Sequence, residues 1–211
     1  MSNEQPSPPE KRVRLRGEER RALILQSARR VFARSTYAEA SMSDLARASG
    51  ITEPMLYKHF GSKKGLFLAT LSEGGTQFLI TLQERLWRRA EKDILDALAH
   101  VVDEYCAVST ADPETQRIHY QAVTEAGDPE VARCISKHNR ALYELIRQLV
   151  GCAQERGLLN PAITLNAATW GYMSMILAIR YGLMLNLSGS VAQLQEEMSC
   201  IWLRGLRSQD R

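Results

Sequence analysis

The sequence predicts an all-α fold. Apolar residues recur at three- and four-residue spacings, as in Leu23, Ile24, Ala28, Val31 and Phe32. No stretch sustains the alternation of a half-buried strand, and turn-flanked valine or isoleucine runs are absent. The punctuation is also helical: Asp112-Pro113 and Asp128-Pro129 each read as an N-cap followed by proline in the first turn.

Residues 1–17 open the chain as a polar, proline-rich, disordered arm ending in Lys11, Arg12, Arg14 and Arg16. It can reach into a nucleic-acid groove or stand as a solvated tail. From Glu18 a helix runs until Thr36 to Ala40 break it. A helix opening at Ser62 turns Leu66, Phe67, Ala69, Thr70 and Leu71 inward, and Gly74-Gly75 is expected to kink or end it. Leu82 to Tyr105 reads as helix with a break near Lys92. Asn160-Pro161 repeats the cap signal after a helix-ending Gly157. Gly189-Ser190 precedes a last helix with Val191, Leu194, Met198, Ile201, Trp202 and Gly205. No internal repeat is visible.

The composition, 45% hydrophobic and 24% charged, is that of a soluble globular protein. The most apolar stretch, Ile176 to Leu187, carries Arg180 and Asn186 and is shorter than the ~20 residues that span a bilayer. No membrane association is expected. Cys106, Cys134, Cys152 and Cys200 form no CxxC pair, and the N-terminus lacks a signal-peptide core. Free thiols in a reducing cytoplasm follow. Charge is uneven: residues 1–65 hold 13 Lys and Arg against 7 Asp and Glu, the remainder 14 against 17. A basic N-terminal third suits a polyanion partner as well as a solvated surface.

The densest local signals lie between Ser41 and Lys64. Ser41 can cap a second helix, with Asp44 three residues on in the manner of a capping box. Leu45 and Ala46 face inward, Gly50 closes the helix in the left-handed conformation, and Ile51 anchors the turn. Thr52 caps a third helix with Glu53 and Pro54 in its first turn. Leu56 and Phe60 pack inward, leaving Thr52, Glu53, Met55, Tyr57, Lys58 and His59 outward. Two short helices joined by a glycine turn make a helix-turn-helix, whose second helix enters the major groove of double-stranded DNA. Tyr57 and Lys58 can hold phosphates, and Lys58 or His59 can donate to a base edge. Glu53 can accept from cytosine N4 or repel phosphate, and Met55 can touch a thymine methyl. Ser62 caps the next helix, so free N–H groups and Lys63 meet at a natural phosphate site.

The run Gly50-Ile51-Thr52-Glu53-Pro54-Met55-Leu56-Tyr57-Lys58-His59-Phe60-Gly61-Ser62-Lys63-Lys64-Gly65-Leu66 resembles the signature of the TetR family of bacterial regulators. The family's leucine-tyrosine, histidine-phenylalanine and serine-lysine pairs stand here as Leu56-Tyr57, His59-Phe60 and Ser62-Lys63. The likeness covers about residues 18–70. It implies phosphate contacts at Ser41, Tyr57 and Lys63, and places Glu53, Met55 and Lys58 where the family contacts bases. Glu53-Pro54-Met55 departs from the family's small residues there, so base preference does not carry over. The resemblance also implies an N-terminal DNA-binding domain, residues 18–66, and a helical effector-binding and dimerisation domain, residues 67–211. The expected protein is a homodimeric repressor on a palindromic operator, released by a small lipophilic or aromatic effector. It would be cytoplasmic, and nucleoid-associated when bound to DNA.

Asn166 to Leu187 is apolar nearly all round, so it must be covered on every side. With the last helix it can form a dimer interface through Trp170, Met173, Ile176, Leu194, Met198, Ile201 and Trp202, or an intramolecular core. Residues with apolar bodies and polar handles, Tyr105, His119, Tyr120, Tyr143, Trp170 and Tyr181, can line a ligand pocket or simply pack. Cys134 and His138 share a helix face, but a structural zinc site needs four ligands, so no metal is expected. GxSxG, HExxH and a phosphate-binding glycine loop are absent. His100 and Asp103 lack a nucleophile. No catalytic residues, enzyme activity or cofactor are expected. A helical binding protein or small enzyme that uses the pocket is the alternative.

Overall fold

The computed structural model describes residues 17–184 and 191–207. The basic arm, the Gly189-Ser190 turn and the side chains of Leu183, Met184 and Val191 fall outside the described residues. The described chain is built of helices: α1 Gly17–Arg34, α2 Met42–Ser49, α3 Glu53–Phe60, α4 Lys63–Ala90, α5 Ile94–Ala99, α6 Val101–Ala111, α7 Pro113–Thr124, α8 Pro129–Glu155, α9 Leu165–Met184 and α10 Val191–Leu206. No strand occurs among the described residues; Leu159 and Arg207 form an isolated antiparallel bridge. None of the described helices is long and apolar enough to cross a membrane.

Two apolar cores organise the molecule. The first gathers Ile24, Phe32, Leu45, Leu56, Leu66 and Phe67 of α1 to α4, and is completed by Ile118 and Ala122 of α7 and Val131 of α8. The second gathers the remainder of α4 with α5, α6, α8, α9 and the end of α10 around Leu82, Leu98, Ile146, Tyr172 and Ile176. Helix α4 carries both cores. Sequence position alone would assign α7 and α8 to the second core, but both also close the first.

The caps at Asp112 and Asp128 are as predicted: Asp112 accepts from the Thr115 N–H at 3.1 Å, and Asp128 from Glu130 N–H at 2.8 Å. Three expectations need correction. Helix α4 runs unbroken through Gly74-Gly75. A Cβ on Gly74 would meet the Thr115 side chain at 2.9 Å, and one on Gly75 would meet His138 Nδ1 at 3.0 Å. These glycines let α7 and α8 approach closely. The break near Lys92 exists, but His100 adds a second, dividing α5 from α6. Asn160-Pro161 starts no helix: Asn160 accepts from the Ala162 N–H, and Thr164 Oγ1 accepts from Ala167 at the head of α9.

Candidate DNA-binding face and interior pocket

Helices α2 and α3 form the expected helix-turn-helix. Ser41 caps α2 by accepting from the Asp44 N–H at 3.1 Å, and its hydroxyl donates to the Asp44 carboxylate. That hydrogen bond holds the Asp44 carboxyl below its usual range. Gly50 sits at φ 64°, ψ 28°, and its N–H reaches Ala46 and Arg47 carbonyls. The turn thus uses the one residue type that takes this conformation without strain.

Helix α3 buries only Leu56. Thr52, Glu53, Tyr57, Lys58 and His59 are exposed, and Met55 is half-buried. Thr52 stands at the N-cap position, yet its hydroxyl makes no cap bond. The hydroxyl is therefore available to a partner. An exposed run of threonine, tyrosine, lysine and histidine supplies donors of the kind that phosphates and base edges accept.

Helix α3 is held by a tight corner with α4. Gly61, at φ 74°, ends α3, and Ser62 caps α4 by accepting from Gly65 N–H at 3.0 Å. A Cβ at Gly65 would lie 2.1 Å from the Phe60 carbonyl oxygen. Gly65 was not singled out in the sequence because nothing local demands it; the contact comes from the preceding helix.

Lys63 is placed otherwise than its sequence position suggests. Its ammonium donates to the carbonyls of Ala38 and Ala40, at 3.1 and 3.0 Å, and lies 4.8 Å from the Tyr37 ring centre. The charge ties down the α1–α2 loop.

Three further contacts join these helices to the rest of the molecule. Arg29 of α1 pairs with Asp112 at 2.7 Å and Glu114 at 3.4 Å, at the head of α7. Lys64 of α4 pairs with Asp128 at 3.0 Å and with Glu130, at the head of α8. Gln121 of α7 donates to the Phe32 and Ser35 carbonyls at the end of α1, at 2.8 and 3.0 Å. Surface pairs contribute little individually, but these converge on the helices beside the pocket.

A cavity of about 230 Å³ lies between α4, α6, α7, α8 and α9. Leu71, Phe78, Leu79, Ile80 and Ile135 give it apolar walls, while Tyr105, Thr115, Gln116, His119, His138 and Arg180 supply polar groups. A second cavity of about 390 Å³ shares Tyr105, Gln116 and Arg180 with it and adds Tyr120. Tyr105, His119 and Tyr120 thus stand on the walls of these adjoining cavities. Tyr143 and Trp170 do not: they pack on each other at 6.0 Å, and the Tyr143 hydroxyl donates to Asn166. Tyr181 is exposed and lines neither cavity. His138, which shares a helix face with Cys134, stands in the pocket wall beside it, a place that only the packing of α8 on α4 reveals. No group of three potential metal ligands exists among the described residues.

Burial lowers the His119 imidazole to about 3, with Arg180 and His138 adding to the effect. Burial and Arg180 lower His138 to about 4. Both rings are therefore neutral when folded but titrate near 6.5 when unfolded. Stability from this source is full above pH 6.5 and is lost as pH falls toward 4, because the unfolded chain binds the protons. The loss approaches ~1.4 kcal/mol per pH unit per ring. Urea midpoints should drop between pH 7 and 5, where most carboxylates stay ionised. The double variant His119→Gln/His138→Gln should flatten that dependence; an unchanged slope would exclude these rings as its source.

Helices α9 and α10 leave an apolar face uncovered. Trp170, Leu177 and Tyr181 of α9 are 57%, 38% and 55% exposed, and Leu194 and Ile201 of α10 are 45% and 71% exposed. Of the residues expected at an interface, Met173 and Ile176 instead face the chain's own core, and Met198 and Trp202 pack against it. Trp202 lies over Gly171 so closely that a Cβ there would fall 1.8 Å from its ring. This contact fixes how α10 crosses α9.

Residues 24–70 match the sequence model described as bacterial regulatory proteins, tetR family. The regulator UidR of Escherichia coli K12 is 27% identical over 193 residues, covering 89% of both chains. The activator FasR of Mycolicibacterium smegmatis is 29% identical over 139 residues, which span 65% of this chain and 61% of FasR. A TetR-family regulator from Mesorhizobium loti superposes at a TM-score of 0.80 and 18% identity, over 92% of this chain and all of that one. Bacillus subtilis FadR, solved with stearoyl-CoA, gives 0.72 at 15% identity, over 88% and 99%.

Proposed function

Because this chain belongs to the TetR family of bacterial regulatory proteins and is a DNA-binding transcriptional regulator, we propose that it works as a homodimeric repressor released by a small molecule. The observation that carries this reading is one protein presenting an exposed α3, an uncovered apolar face on α9 and α10, and an interior cavity between them in the chain of contacts.

The DNA contacts we assign are Ser41, Thr52, Tyr57, Lys58 and His59, with Glu53 and Met55 beside the bases. Ser41 and Tyr57 suit phosphates; Lys58 and His59 suit base edges. Lys63 serves by holding the Ala38–Ala40 loop against α4. A second copy covers Trp170, Leu177, Tyr181, Leu194 and Ile201, since an exposed apolar patch of this kind marks an interface. Two-fold symmetry then presents two α3 helices to one face of a duplex. Such a regulator acts in the cytoplasm, on the nucleoid.

Release follows from helix α7. One side of α7 gives Thr115, Gln116 and His119 to the cavity. The other gives Ile118 and Ala122 to the helix-turn-helix core, and Gln121 to the end of α1. A molecule between α4 and α7 that moves α7 must disturb its grip on α1. An effector shifts the equilibrium only as far as its affinities for the two arrangements differ. FadR's complex with stearoyl-CoA shows this fold accepting a ligand in a relative; FasR's name as an activator keeps activation as the second reading.

Selection of bound sites from random duplex DNA tests the proposal. It should return an inverted repeat with half-sites about 34–36 Å apart, one helical turn. A single unrepeated motif, or no enrichment, would contradict it.

A further inference from the structure

We infer that the interior pocket takes an apolar molecule bearing a single anionic head group, which Arg180 holds. This rests on the effector reading above and names the chemical class of the ligand.

The wall of the 230 Å³ cavity contains no aspartate or glutamate, although aspartates and glutamates are frequent on this chain. It contains two cationic side chains, Arg180 and the exposed Lys137, and two histidines. Arg180 is half-buried and forms no ion pair among the described residues. Its guanidinium lies 5.6 Å from the Tyr120 ring centre, a contact with a π-face that leaves its donors free. Other half-buried arginines have carboxylate partners: Arg29 meets Asp112, and Arg89 meets Asp96 and Glu104. Arg180 has no such partner among the described residues, and it stands where the two cavities meet.

A cation in a mostly apolar wall is costly unless an opposite charge meets it. Among the described residues none supplies that charge. Asp103, the one acid on the wall of the second cavity, makes no ion pair with Arg180. A carboxylate or similar anion would accept from the guanidinium fork, with the Tyr105 hydroxyl and the Gln116 amide on the same shared wall as neutral donors. The ligand's apolar body would lie along Leu71, Leu79, Ile80 and Ile135. A cationic ligand would meet no carboxylate on the wall of the 230 Å³ cavity and would face Arg180.

Calorimetry on the full chain with three ten-carbon probes tests this: decanoate, decanol and decyltrimethylammonium, each below its aggregation concentration. Decanoate should bind at least tenfold more tightly than decanol, and the ammonium probe most weakly. Arg180→Met should bring decanoate to the level of decanol, and Arg180→Lys should keep part of the preference. Equal binding of decanoate and decanol by the wild type, binding of none of the three, or an undiminished preference in folded Arg180→Met would each overturn the proposal. The wild-type comparison decides even if Arg180→Met does not fold. A separate anisotropy titration on the selected duplex reads release. Anion preference without release would leave this site standing and overturn the effector reading; release by decanol without head-group preference would do the reverse.

Discussion

Replacing Gly65 with alanine is expected to weaken binding to the selected duplex by roughly ten- to a hundredfold, or about 1.4–2.8 kcal/mol, in a chain that stays folded. The added methyl would sit 2.1 Å from the Phe60 carbonyl oxygen, and neither group is the free end of a flexible side chain. Something in the backbone must move. The Phe60 carbonyl belongs to the last residue of α3, and the Ser62 cap on Gly65 N–H sits in the same corner. The displacement therefore falls on the helix assigned to the major groove, whose contacts depend on sub-ångström placement. Circular dichroism should change little, because Leu56 and the core beneath α3 are untouched. Anisotropy titrations of wild type and variant check the prediction; equal affinities would mean that α3 is not the reading helix or that the corner yields freely.

The second large effect is expected from Leu194→Asp/Ile201→Asp. Both side chains are largely exposed in one copy, so each chain should fold with its own core intact. In a dimer they would place carboxylates in an apolar interface, which is strongly unfavourable without partners. The variant should sediment as a monomer and lose more than about a hundredfold in operator affinity, since the second half-site would no longer be held close by the first. A variant that remained dimeric would move the interface off α10.

The local parts of this structure were legible because their causes are local. A serine cap, a left-handed glycine and a buried leucine announce α2 and α3 in the order of residues alone. Asp112 and Asp128 do the same for α7 and α8. What the sequence hid depends on distant partners. Lys63 lies in a phosphate-binding pattern, but its ammonium is claimed by carbonyls of Ala38 and Ala40, 25 and 23 residues away. Gly74-Gly75 looked like a break because glycine weakens a helix locally, whereas here Thr115 and His138 need the space. Helix α9 is apolar on every side, so periodicity could not tell Met173 and Ile176, which face inward, from Leu177 and Tyr181, which do not. Tyr143 and Trp170 have the chemistry of pocket residues; only their mutual packing shows otherwise. Arg180 passed as an interruption of an apolar run, and its meaning appears once the acid-free wall around it is seen.

The pairing of α7 with both the cavity and α1 connects these findings. Asp112 and Glu114 reach Arg29 from its first turn, and Gln121 reaches the end of α1 from its last. Between them, His119 faces the cavity. The same helix therefore lines the pocket and grips the helix on which α2 and α3 rest.

Sedimentation velocity of the chain with its selected duplex counts the copies that bind together. A dimer is expected in the free protein and two copies on each inverted repeat, with no stable species of one copy per duplex. A monomer that saturates the duplex at one copy would contradict dimeric binding.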